Sequence, residues 1–108
     1  MGNLSENELA ALGKLREVLT GSFKLVELRL FGSKARGDSH CESDIDVLIV
    51  LEALDWETRK AICDLCTDIS IDYSVVLAPT LYSVAEFKSG LTKATPFYQA
   101  VSRESVAL

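Results

Sequence analysis

No apolar run in this chain approaches the ~20 residues a helix needs to cross a bilayer, so a membrane-spanning role is not expected. The start, Met1-Gly2-Asn3-Leu4-Ser5-Glu6, lacks the basic residues and apolar core of a secretory signal. It also lacks a myristoylation site, because Glu6 stands where Ser or Thr is needed. The expected location is the cytoplasm. A surplus of basic residues is missing too. The net charge is −5, which disfavours gripping a polyphosphate backbone, so neither DNA nor RNA is an expected partner. If the chain handles nucleotides, metal ions must carry most of the compensating charge.

Cysteine is scarce. Cys41, Cys63 and Cys66 are an odd count with no secretory start, so no disulfide framework is implied. Cys63 and Cys66 form a C-x-x-C, but the adjacent pair His40-Cys41 does not have the spacing of a structural zinc site. Packing of Cys63 and Cys66 as small apolar side chains on a helix is the favoured reading. Repeats, low-complexity tracts and linkers are absent. What remains is 108 residues with 48% hydrophobic and 25% charged content, enough for one domain spanning 1–108.

Ser5 and Glu8 form a capping box, so a helix begins there. Leu9, Leu12, Leu15, Val18 and Leu19 recur at helical spacing, and Gly21 ends the run. A strand is expected over Lys24–Phe31 and a second over Asp44–Leu51. The second is apolar on both faces after its aspartates, as in a central strand. Asp55 is a candidate N-cap for a helix to about Thr67. The alternation of Ile69, Ile71, Tyr73, Val75 and Leu77 predicts a third strand, closed by Pro79. Helices over Thr80–Ser89 and Thr95–Arg103 complete the chain, the latter with Pro96 at its first position.

The chemistry is concentrated in Phe31-Gly32-Ser33-Lys34-Ala35-Arg36-Gly37-Asp38 and Ser43-Asp44-Ile45-Asp46-Val47. Gly32 allows close approach of backbone to a phosphate. Ser33 adds a hydroxyl and opens a short helix whose free N–H groups suit an anion. Lys34 and Arg36 are near enough to help neutralise a triphosphate, Arg36 with a two-pronged grip. Asp44 and Asp46 are i and i+2 on a strand, so their carboxylates share a face about 6–7 Å apart along its axis. Mg²⁺ relieves their repulsion. Asp72, inside the predicted third strand between Ser70 and Ser74, is the candidate third carboxylate. Three such groups would hold two ions roughly 3.5–4 Å apart. Each feature alone is weak. A Gly-Ser is most often a turn, an Asp-x-Asp is common at strand ends, and Asp72 also suits an exposed edge. Their order along the chain is the stronger signal.

That ordered set resembles the nucleotidyltransferase superfamily of DNA polymerase beta, and closely its minimal members, the MNT proteins encoded beside HEPN-domain partners, with their MntA-type antitoxins. Phe97-Tyr98-Gln99-Ala100-Val101 and Arg103-Glu104 resemble the C-terminal helix of that family. Ser105, where the family usually has Gly, leaves the final turn and any last strand open. The resemblance implies an α/β (α+β) fold with a small mixed sheet flanked by helices. It also implies that Gly32 and Ser33 bind the triphosphate while Asp44, Asp46 and Asp72 hold Mg²⁺.

The expected activity is transfer of AMP from MgATP to a hydroxyl of a HEPN toxin, so that the chain acts as an antitoxin. Two other readings compete with it. In one, the chain is a non-catalytic antitoxin that works by complex formation through apolar residues of its last helices. In the other, it modifies a small molecule such as an antibiotic, which usually needs a further domain to enclose the drug. The oligomeric state stays open between a homodimer and a complex with the HEPN partner.

Overall fold

The first helix begins where its capping box predicts. In the computed structural model, which describes residues 4–31, 44–89, 95–96, 99, 103 and 105–108, helix α1 spans Glu6–Ser22. The Ser5 hydroxyl accepts the Glu8 N–H at 3.2 Å, and the Glu8 carboxylate accepts the Ser5 N–H at 2.9 Å. Leu12, Leu15 and Leu19 turn inward with Ala11, while Leu9 stays outside the core. The helix passes Gly21 by one residue and closes with the Phe23 N–H donating to the Leu19 carbonyl.

Strand β1 (Leu25–Phe31) pairs antiparallel with β2 (Ile45–Leu51). Both match their predicted runs to within a residue, and every residue of β2 except Asp46 is buried. Helix α2 (Trp56–Tyr73) then carries the chain over to β3 (Leu77–Ser83), which pairs parallel with β2. A crossover of this kind is what parallel neighbours require. Hydrogen bonding from the Thr58 side chain, and then from the Thr58 N–H that the Asp55 carboxylate accepts at 2.7 Å, holds the Asp55 pKa below the ordinary value. The sheet order is β3-β2-β1, with a short last strand, β4 (Val106–Ala107), beside β1.

The third strand differs from expectation. The segment from Ile69 to Tyr73 is helical, because Ile62, Cys66 and Ile69 continue one buried stripe four and three residues apart. The helix stops at Ser74, whose φ of 55° is left-handed. The Val75 N–H donates to the Ser70 carbonyl and the Ser74 N–H to that of Ile71, as in a Schellman motif. The strand therefore begins at Leu77 and runs through Pro79 instead of ending there. Its position at the sheet edge makes a residue without an N–H tolerable.

The predicted helix at Thr80–Ser89 shrinks to α3 (Val84–Phe87), started by a second capping box of Ser83 and Glu86. Pro96, Gln99 and Arg103 are helical, as expected for that segment. A last strand does form. β4 (Val106–Ala107) pairs with Leu30 and Arg29, and the Ser105 hydroxyl accepts from the Arg29 guanidinium at 2.6 Å.

Candidate functional site

The alternation along β2 divides its side chains between two environments. Ile45, Val47, Ile49 and Leu51 pack in one cluster with Leu12, Leu15 and Leu19 of α1 and Ile62, Cys66 and Ile69 of α2. Both long helices therefore cover that face. Leu48 and Val50 belong to a separate cluster with Phe31, Tyr82, Val84 and Phe87 on the opposite face. Asp46 is in phase with Leu48 and Val50, so its carboxylate is on the face away from α1 and α2. It is half-buried, and Asp44, just before the strand, is exposed. The Ile45 N–H donates to the Val76 carbonyl at 2.8 Å, which fixes the start of β2 against the start of β3.

The register states what surrounds Asp46. Phe31 lies opposite it on β1 and Ala78 beside it on β3. One step along the same face stand Arg29, Leu48 and Thr80.

Asp72 is not among these neighbours. It is an exposed residue in the last turn of α2, the helix that covers the other side of the sheet. The expectation that it joins Asp44 and Asp46 on shared metal ions is therefore corrected. The physical cause is the helical stripe through Ile69, which overrides a period-two pattern of β-branched residues. Gly32, Ser33, Lys34 and Arg36 lie outside the described residues, as do His40 and Cys41. Of the C-x-x-C pair, Cys66 packs in the core as expected while Cys63 is exposed. Burial, with Cys63 nearby, pushes the Cys66 thiol up to about 12, so it is neutral and unsuited to act as a thiolate at neutral pH.

The arrangement fits one hard cation. Mg²⁺ is commonly held by one or two carboxylates together with substrate phosphates and several waters. Asp46, near the start of β2, and Asp44, just before it, are carboxylates of the kind such a site would use. Among the described residues no group of three or more His, Cys, Asp or Glu converges. A surface cleft of about 630 Å³ lies elsewhere, along the outer edge of β1, and includes Arg16, Lys24, Glu52 and Leu108 but neither aspartate. It is an open groove where β4 pairs with only two residues of β1. No helix among the described residues is long and apolar enough to cross a membrane.

Comparison with known proteins agrees with this geometry. Residues 13–91 match the family described as "Polymerase beta, Nucleotidyltransferase". Two candidate protein adenylyltransferases of Methanocaldococcus jannaschii are similar in sequence. One is 37% identical over 60 residues, covering 55% of this chain and 61% of the relative. The other is 38% identical over 73 residues, covering 66% and 69%. Among solved structures, a toxin-antitoxin crystallised with AMP-PNP superposes with a TM-score of 0.59 at 22% identity, over 95% of this chain and 72% of that one. A candidate minimal nucleotidyltransferase superposes with a TM-score of 0.58 at 23% identity, over 98% and 99%. At those identities the structural likeness is one of fold.

Proposed function

Because this chain belongs to the polymerase beta nucleotidyltransferase family, we propose that it transfers AMP from ATP to a hydroxyl on a protein partner, and that this partner is a HEPN-domain toxin which the modification silences. The observation that carries the reading is the Asp44–Asp46 pair. Asp46 lies on the β2 face away from the helices that build the core, with Asp44 just before the strand, in a chain whose sequence relatives carry the name protein adenylyltransferase. The toxin-antitoxin assemblies with the same fold support a toxin as the partner, and AMP-PNP in one of them supports ATP as the donor.

Asp44 and Asp46 would hold Mg²⁺ beside the nucleotide's phosphates. When bound, the ion would neutralise charge on the phosphates and on the departing pyrophosphate. The acceptor hydroxyl gives up its proton to water or to a group of the partner as its oxygen bonds to the α-phosphorus, and the bond to pyrophosphate breaks. Gly32 and Ser33 are assigned to the leaving phosphates, with Lys34 and Arg36 offsetting their charge. Catalysis of this kind is mostly positioning and electrostatics. The carboxylates must therefore be held rigidly, which pairing of β2 on both sides favours at Asp46.

The test uses labelled ATP, Mg²⁺ and the toxin. The expected result is a labelled toxin, with labelling reduced by roughly 10²–10³-fold or more in Asp44→Asn and Asp46→Asn. A second reading is an antitoxin that acts by binding alone, favoured by the scarcity of acidic side chains on the described part of the Asp46 face. Neutralisation that persists in both variants, with no labelling in the wild type, would establish that second reading.

A further inference from the structure

Resting on the reading above, we propose that the third metal-ligand position of this site is occupied by Ala78, so that the chain holds one divalent ion with its nucleotide instead of two.

The register carries the argument. Ala78 pairs with Asp46 on adjacent parallel strands, and the two residues share a face. Neighbouring strands lie ~4.8 Å apart. A carboxylate at residue 78 would therefore reach an ion bound by Asp46. The other residues that β3 presents on this face are Thr80 and Tyr82, neither of them acidic. On the β1 side the corresponding neighbour of Asp46 is Phe31. Asp72, the acidic residue that most closely precedes β3, is carried to the opposite side of the sheet by α2, and Glu86, just after β3, is exposed and engaged in the capping box with Ser83. Two ions in a shared site each need anchoring, and a pair of carboxylates with phosphate oxygens is a usual set for one. The sheet would thus anchor the ion that meets the nucleotide, and among the described residues it sets no second acid beside Asp46, Glu27 lying farther along that face opposite Val50. Activation of the acceptor hydroxyl then falls to groups outside β3, those of the partner surface included.

Mn²⁺ in place of Mg²⁺, with AMP-PNP, provides a readout independent of turnover. Two Mn²⁺ ions a few ångströms apart give an exchange-coupled paramagnetic resonance spectrum, whereas one gives an isolated six-line pattern. The expected wild-type result is one protein-bound ion with the isolated pattern, lost in Asp46→Asn. The expected Ala78→Asp result is two ions per chain and the coupled spectrum, with Ala78→Asn remaining at one. A coupled pair in the wild type overturns the proposal, and that measurement decides the matter even where Ala78→Asp folds poorly. A folded Ala78→Asp that still holds one ion also overturns it. In either case, binding sensitive to Asp46→Asn leaves the nucleotidyltransferase reading intact. Absence of protein-bound Mn²⁺ in every form would overturn both.

Discussion

The two faces of this small sheet are built for different tasks. On one face, Ile45, Val47, Ile49 and Leu51 are sealed beneath α1 and α2. On the other, Asp46 stands between Phe31 and Ala78 with Arg29 and Thr80 one step away. Both sets come from the same strands, and only the phase of alternation separates them. The difference teaches that β2 is buried on both faces and opens only at Asp46. A substitution at its apolar positions should damage stability, and one at Asp46 should spare it.

Five predictions break or sharpen that comparison. The largest effect belongs to the sealed face. Ile49→Ala removes a fully buried side chain and should cost about 2–5 kcal/mol, read as a lower denaturant midpoint. Asp46→Asn, by contrast, should leave that midpoint nearly unchanged while removing metal binding. A smaller effect, of opposite sign, is expected at the end of α2. Ser74 is a non-glycine residue in the left-handed region, so Ser74→Gly should stabilise by roughly 0.5–1 kcal/mol.

Smaller again is the cap at Asp55, whose carboxyl pKa is lowered by its hydrogen bonds from Thr58. Because the folded value lies below the unfolded one, its stabilisation is present above the ordinary carboxylate pKa and disappears as pH falls through the folded value. The melting-temperature gap between wild type and Asp55→Ala should therefore narrow in that acidic window and be constant near neutrality. The smallest effect is Asp72→Asn. An exposed residue on α2 should change stability by about 0.5 kcal/mol or less, and should not alter Mn²⁺ binding. A large loss of metal affinity in that variant would reverse the placement of the third acid.

How much of this was legible in the sequence varies with the kind of signal. Ser5 with Glu8, and Asp55 ahead of Thr58, announce helix starts through local hydrogen bonds that need no tertiary context. The apolar run from Val47 to Leu51 announces a central strand for the same reason: nothing else buries both faces. The Asp44–Asp46 spacing is readable as a candidate pair, although only Asp46 lies within β2 and Asp44 stands just before it. Asp72 misleads because two periods overlap around it. Ile69, Ile71 and Tyr73 alternate like a strand, while Ile62, Cys66 and Ile69 continue a helix. Packing against α1 and the sheet decides for the helix, and that contact is not written locally. The importance of Ala78 is invisible for a related reason. An alanine carries no chemical flag, and its meaning comes only from the residue it is paired with.

One hydroxyl near the end of α2 has a reach beyond its size. Ser70 Oγ donates to the Cys66 carbonyl at 2.7 Å and accepts the Leu77 N–H at 3.0 Å. It thereby clips the tail of the helix to the first residue of β3 and sets where that strand starts its count. Were the strand to slip by one, Leu77 or Pro79 would be turned toward Asp46 and the polar lining would be lost. A serine on the core side of the molecule is thus a latch for the geometry of the opposite side.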